Sequence, residues 1–114
     1  MNPAIWQIVA AVYGFAAVSL GAFAAHGLKS RLDAYALDIM ATATQYALIH
    51  AALLFGISLL PTGRWTSIAG FSMGCGVLLF SGSLYALALS GVRALGAITP
   101  LGGLLLLIGW FSLF

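Results

Sequence analysis

Apolar positions fall in four long runs separated by short polar stretches. The first runs from Ile5 to Ala25 with no charged residue inside it. The second lies within Ala36 to Leu60 and stops at Pro61-Thr62-Gly63, a turn signal. The third covers Trp65 to Ser90, and the fourth covers residues 94–113. A membrane-crossing helix needs about 20 apolar residues at roughly 1.5 Å rise each. The pattern predicts an all-α integral membrane protein with four spans in one domain (about 5–25, 36–60, 65–90 and 94–113). Short connections make neighbours antiparallel, as in a four-helix up-down bundle.

Three stretches need a closer reading. Ala22-Phe23-Ala24 fits a signal-peptide cleavage pattern, but MNPAIW carries no lysine or arginine and the run is long for such a segment. The first run is therefore predicted to stay as a span. In KSRLDAYALDIMAT (29–42), Leu32, Tyr35, Ala36, Ile39 and Met40 follow helical spacing, while Lys29, Arg31, Asp33 and Asp38 lie off that stripe. This predicts a turn or two of interfacial helix that then enters the membrane. In the fourth run, Thr99-Pro100 reads as an N-cap followed by proline at the first helical position. A helix from Pro100 to Phe114 spans only about 22 Å, short of the ~30 Å hydrocarbon core. Either the helix begins near Ala94 and kinks at Pro100, or the chain enters irregularly through LGAIT. Irregular backbone at that depth needs cover from protein or water.

Composition agrees with lipid as the main solvent. Of 114 residues, 63% are hydrophobic and 5% charged, against about 25% charged in soluble domains. The net charge of +2 is too small and too scattered for a nucleic-acid partner. The single cysteine, Cys75, excludes an internal disulfide and a cysteine-cluster metal site, and is predicted to be a packing residue. Lys29, Arg31 and Arg93 lie on one face, against Arg64 and the terminal amine on the other. The bias predicts loops 1–2 and 3–4 in the cytoplasm and both termini outside. Trp6, Trp65 and Trp110 all fall at the terminal face and predict an aromatic belt there.

Polar residues are placed by counting inward from the face of loops 1–2 and 3–4. With Asp38 at the interface, Gln45 lies roughly 10 Å deep and His50 roughly 18 Å deep. Returning from Ser90, Tyr85, Ser83 and Ser81 lie roughly 8, 10 and 14 Å deep. His26 sits at the edge, and Thr99 enters from the same face. Together with Thr42 and Tyr46, these residues form a predicted polar cluster in one half of the membrane. Thr42, Tyr46 and His50 follow an i, i+4, i+8 line. Two uses are open: a hydrogen-bonded packing network, or a small polar cavity facing the cytoplasm with the fourth helix's N-terminus aimed into it. His50 is the ionisable group near the midplane. His26 precedes Gly27, a predicted C-cap, and is placed to reach Asp33 or Asp38. Two distant histidines with only surface aspartates make no metal ligand set, and no cofactor is implied. Ala17, Gly21 and Ala25 repeat every four residues, and Gly70 and Gly74 form a GxxxG. Such positions let helices approach closely, either in the bundle core or between copies.

Four ordered motifs now stand out: GAFAAHGL (21–28), TQYALIHAALL (44–54), FSGSLYALALSG (80–91) and ITPLGGLLLLIGW (98–110). Together they resemble the YgdD-like family of small inner-membrane proteins of unknown function. The matching positions are His26, Gln45, Tyr46, His50, Ser81, Gly82, Ser83, Tyr85, Pro100, Gly102 and Gly103. The resemblance implies a bacterial inner-membrane protein with four spans, and no activity.

The leading expectation is a structural or accessory protein of a larger membrane assembly, in contact with lipid and with a second copy or a membrane-protein partner. The alternative is a small transporter or a lipid- or metabolite-binding protein that uses the polar half-cavity. An enzyme is not expected. Ser81, Ser83, His26 and His50 offer nucleophile and base, but no carboxylate lies at a depth that would orient either histidine.

Overall fold

The computed structural model describes residues 3–113; the terminal amine counted in the charge bias lies outside them. Four α-helices follow in order: α1 (Pro3–His26), α2 (Ala34–Ile57), α3 (Arg64–Ser90) and α4 (Thr99–Ser112). A 3₁₀ helix, Arg93–Ala97, precedes α4. There is no strand among the described residues. All four segments, the last taken from Arg93 to Ser112, are long and apolar enough to cross a membrane.

The helix ends have local causes. Asp33 has extended backbone and its Oδ1 accepts from the Ala36 backbone N–H at 2.8 Å, which starts α2. The predicted interfacial helix from residue 29 is instead a loop that ends at this cap. Tyr35, predicted on the inner stripe, is exposed, whereas Met40 is fully buried. Gly27 does not form a left-handed cap, since the only left-handed φ among the described residues is at Gly91, 74°. The N–H groups of Gly27 and Leu28 both reach back to Phe23 O, at 2.6 and 3.1 Å. The left-handed cap closes α3, where the Gly91 N–H bonds Leu87 O at 2.8 Å.

The short fourth helix is resolved by the 3₁₀ segment. Five residues at about 2.0 Å rise, added to the 14 of α4 at about 1.5 Å, reach roughly 31 Å, enough for the hydrocarbon core. Thr99 is the first residue of α4 rather than its cap, and no side chain caps that end. Its hydroxyl is turned toward α3 instead. Pro100 lies in the first turn, where its missing N–H costs no helical bond.

Packing follows chain order. α1 lies along α2, α2 along α3 and α3 along α4, while α1 and α4 do not pack side by side. The molecule is 46 Å long but 25 by 18 Å across, a flattened section. The inner helices are the more buried: 44% of the α3 span and 33% of the α2 span, against 17% for each outer helix.

The buried positions step by threes and fours. On α1 they are Trp6, Ala10, Ala17, Ala24 and, just beyond the helix, Leu28; on α2 they are Met40, Ala43, Ala47, His50, Leu54 and Ile57, with Ala51 buried beside His50. A 3.5-residue repeat keeps one seam facing its neighbour along two slightly supercoiled helices. The every-four line predicted for α1 drifts by about 40° per step. Ala17 is therefore buried, Gly21 half-buried and Ala25 exposed. Between α3 and α4 the approach is closer still. A Cβ on Gly102 would lie 2.3 Å from the Phe80 backbone N, and one on Gly76 would lie 2.8 Å from Leu106 Cδ2.

Candidate functional site: polar ties between the helices

The polar side chains of the interior act as cross-links between helices. Thr44 and Tyr85 share a 2.6 Å hydrogen bond that joins α2 to α3. Ser81 is buried and donates to Ala43 O at 2.8 Å, a second α2–α3 tie. Ser83 donates to Phe80 O in its own helix at 3.0 Å. Its oxygen also lies 2.6 Å from the Thr99 hydroxyl, which must then be the donor of that bond. This tie fixes the start of α4 on α3. The Tyr13 hydroxyl donates to Gly74 O at 2.7 Å and holds α1 to α3 across the section. No buried side-chain nitrogen or oxygen among the described residues lacks a partner.

His50 is the most constrained of these groups. It is 4% exposed. Its Nδ1 lies 2.7 Å from Tyr46 O, and its Nε2 lies 3.0 Å from Trp110 Nε1. A carbonyl can only accept and an indole N–H can only donate. The ring must therefore carry its proton on Nδ1 and accept at Nε2. A second proton at Nε2 would face the indole N–H and break the α2–α4 tie. The ring also stacks on Tyr46 at 6.1 Å and meets Trp110 edge-on at 5.9 Å. Tyr46 in turn packs on Phe80 at 4.4 Å.

The nine residues of the predicted cluster do not meet at one point. His50, Ser81, Ser83, Tyr85 and Thr99 enter the ties, in separate pairs. Tyr46 contributes its carbonyl and ring, but is 40% exposed. Thr42 and Gln45 are exposed on the outer side of α2. His26 is exposed at the end of α1 and its side chain makes no hydrogen bond among the described residues, so it does not reach Asp33 or Asp38. Along α2, His50 lies nearer the end at Ile57 than the start at Ala34. It is roughly 24 Å along α2 from Ala34 and only about 10 Å from Ile57. The helix starts earlier and stops earlier than the apolar run alone indicates.

Other expected positions also move. Trp6 is buried rather than set in a belt, because Gly70 opens a slot for it. A Cβ on Gly70 would lie 2.5 Å from its ring. Gly70 and Gly74 are both buried, but a Cβ on Gly74 would meet nothing within 4 Å, so of the GxxxG pair only Gly70 is a close-approach position. Trp65 is exposed at the terminal end, and Trp110 is half-exposed with its N–H spent on His50. Cys75 is exposed rather than packed. Among the described residues no three His, Cys, Asp or Glu side chains come together. Thr44 and Tyr13 were missed from sequence. The signal for Thr44 was its place one residue beyond Ala43 on a 3.5-residue seam.

Two grooves flank this framework. One of about 750 Å³ lies between α1 and α2, lined by Ala17, Gly21, Ala25, Lys29, Gln45 and Leu48 among others. The other, about 500 Å³, lies between α2 and α4 over Phe80 and is bordered by Tyr46, His50, Leu107 and Trp110. Both are walled mainly by apolar side chains, and neither is an enclosed polar chamber.

Residues 20–103 match the family described as "Protein of unknown function (DUF423)". The chain belongs to the DUF423 family. It is 47% identical to a "UPF0382 membrane protein" of Haemophilus influenzae, over 90% of this chain and 85% of that protein. It is 40% identical to the "UPF0382 membrane protein YwdK" of Bacillus subtilis, covering 96% and 92% of the two chains. It is also 38% identical to the "UPF0382 inner membrane protein YgdD" of Escherichia coli, covering 96% and 86%. No solved structure matches. The resemblance read from the four motifs is thus to the right family, and the chain is an inner-membrane protein of the DUF423 group. None of these names carries an activity.

Proposed function

We propose that this DUF423 protein is a small structural or accessory component of the inner membrane, with no catalytic chemistry of its own. One observation carries this reading. Every buried polar side chain among the described residues is bonded inside the bundle, as packing groups are. His50, the histidine within a span, has both ring nitrogens engaged. Ser81 and Ser83 give their protons to backbone carbonyls rather than to a histidine base. A transporter with a polar half-cavity needs groups free to exchange partners with a solute, and the ties leave few.

Native mass spectrometry of the protein released from its own membrane with surrounding lipid tests this, beside His50→Phe. The expected result is protein or lipid adducts that are the same in both. A discrete small-molecule mass, bound by the wild type and lost in a folded His50→Phe, would overturn the proposal in favour of a binding or transport role.

A further inference from the structure

The outward faces of the helices are not alike. α4 presents Leu104, Leu107 and Ile108, large and apolar as a lipid contact requires, and α1 presents Ile8, Val12 and Phe15 along its first half, with Gln7 near its start and Ser19 and Ala22 farther on also exposed. α2 presents Thr42, Gln45, Ile49, Ala52 and Gly56, all exposed and spaced by threes and fours. Two of the five are polar and two are small. Neither Thr42 nor Gln45 makes a hydrogen bond through its side chain among the described residues. Gln45 lies roughly 16 Å along α2 from Ala34, well inside the span. A primary amide facing hydrocarbon at that depth is costly unless it finds a partner. Gly56 has no reason within the chain to be glycine, since a Cβ there would meet nothing within 4 Å.

We propose that this outward face of α2 is a homodimer seam, in which the Gln45 amides of two copies bond to each other. Two copies inserted with the same orientation are related by a two-fold axis along the membrane normal. Their α2 helices then run parallel, and each residue on the axis meets itself at equal depth. Only a self-complementary side chain satisfies that condition. An amide, with donor and acceptor on one group, does so; a lysine or an aspartate would be repelled. The spacing of three and four residues matches the seam of a left-handed parallel helix pair, with Ala52 and Gly56 allowing close approach. The groove between α1 and α2, which Gln45 lines, opens beside the seam and gives room for the partner's side chains. A lipid tail fills the same space but offers the amide no hydrogen bond. The seam goes beyond the accessory reading and is tested separately from it.

The test uses the full chain with Cys75→Ser, reconstituted in phosphatidylcholine vesicles. Single cysteines are placed on α2 (Ile49→Cys), α1 (Ile8→Cys) and α4 (Leu107→Cys), and disulfide formation is followed under mild oxidant. Ile49→Cys is expected to cross-link rapidly, and the other two only at the rate of random collision. Energy transfer between labelled copies should show Gln45→Leu raising the dimer dissociation constant by roughly 5- to 30-fold, with Gln45→Asn less affected. Circular dichroism checks that each variant is folded; if Gln45→Leu is not, the Ile49→Cys result decides alone. Monomers at every protein-to-lipid ratio, cross-linking through Ile8→Cys or Leu107→Cys instead, or unchanged association in Gln45→Leu would each overturn the seam.

Discussion

His50 and Gly102 show how single residues are committed by their surroundings. His50 sits between a carbonyl and an indole N–H, which admits one neutral tautomer. Nitrogen NMR should therefore find the proton on Nδ1. The bond to Trp110 couples α2 to α4, and interhelical bonds of this kind contribute about 0.6 kcal/mol and up to about 1.7. A double-mutant cycle with His50→Phe and Trp110→Phe should return a coupling in that range, and a value near zero would remove the tie. Gly102 is fixed by sterics. Its missing Cβ makes room for the Phe80 backbone, which cannot swing aside as a flexible side chain can. Gly102→Ala should cost about 3 kcal/mol by overpacking. Gly82→Ala, where a Cβ meets nothing within 4 Å, should cost nothing and stabilise by up to about 1 kcal/mol in the same denaturation experiment, since alanine is the better helix former. These commitments were only partly legible in the sequence. That His50, Ser81 and Ser83 need partners follows from polarity alone. Which partners they take depends on neighbours 16 to 60 residues away, as with Thr99 and Trp110. Thr42 looked aligned with His50, but two steps of four residues rotate it about 80° around the helix, out to lipid.

At the scale of the element, local chemistry set the boundaries well. Pro61-Thr62-Gly63 ends the second apolar run, and Arg64 begins α3 directly after it. Asp33 starts α2 by capping Ala36, a signal present in the sequence but read there as part of an interfacial helix. The fourth span was legible as an anomaly and not as a solution. Its length shortage was plain from Thr99-Pro100, and the structure fills it with a 3₁₀ segment over Arg93–Ala97 that packs on α3. Thr99 gives up a capping role to bond Ser83, and this pins the junction between the 3₁₀ and α segments. Thr99→Val keeps the shape and removes the bond. Amide exchange in residues 98–103 should then quicken while the centre of α3 is unchanged. Equal exchange in both proteins would show that the junction is held by packing alone.

For the whole molecule, the chain-order packing leaves α1 and α4 at the two ends of a flattened section. Four helices in one membrane domain were expected from apolar runs and short connections. That α1 and α4 would stay apart was not, because it depends on how deeply Gly102 and Gly76 let α4 settle onto α3. With Lys29, Arg31 and Arg93 on one face, we propose that this face is cytoplasmic. A reporter fused after residue 114 should be active on the outer side of the membrane, and activity in the cytoplasm would reverse the orientation. The central claim is that the interior polar groups serve to lock the helices together and do not line a path for solutes. Its most direct measurement is cysteine accessibility in the reconstituted protein lacking Cys75. Ser81→Cys and Ser83→Cys probe the interior, and Lys29→Cys is an exposed control. A small water-soluble thiol reagent is expected to modify Lys29→Cys and to leave the two interior cysteines unmodified until the protein is denatured. Rapid modification of either interior position in the folded protein would mean that water reaches these groups, and would contradict the claim.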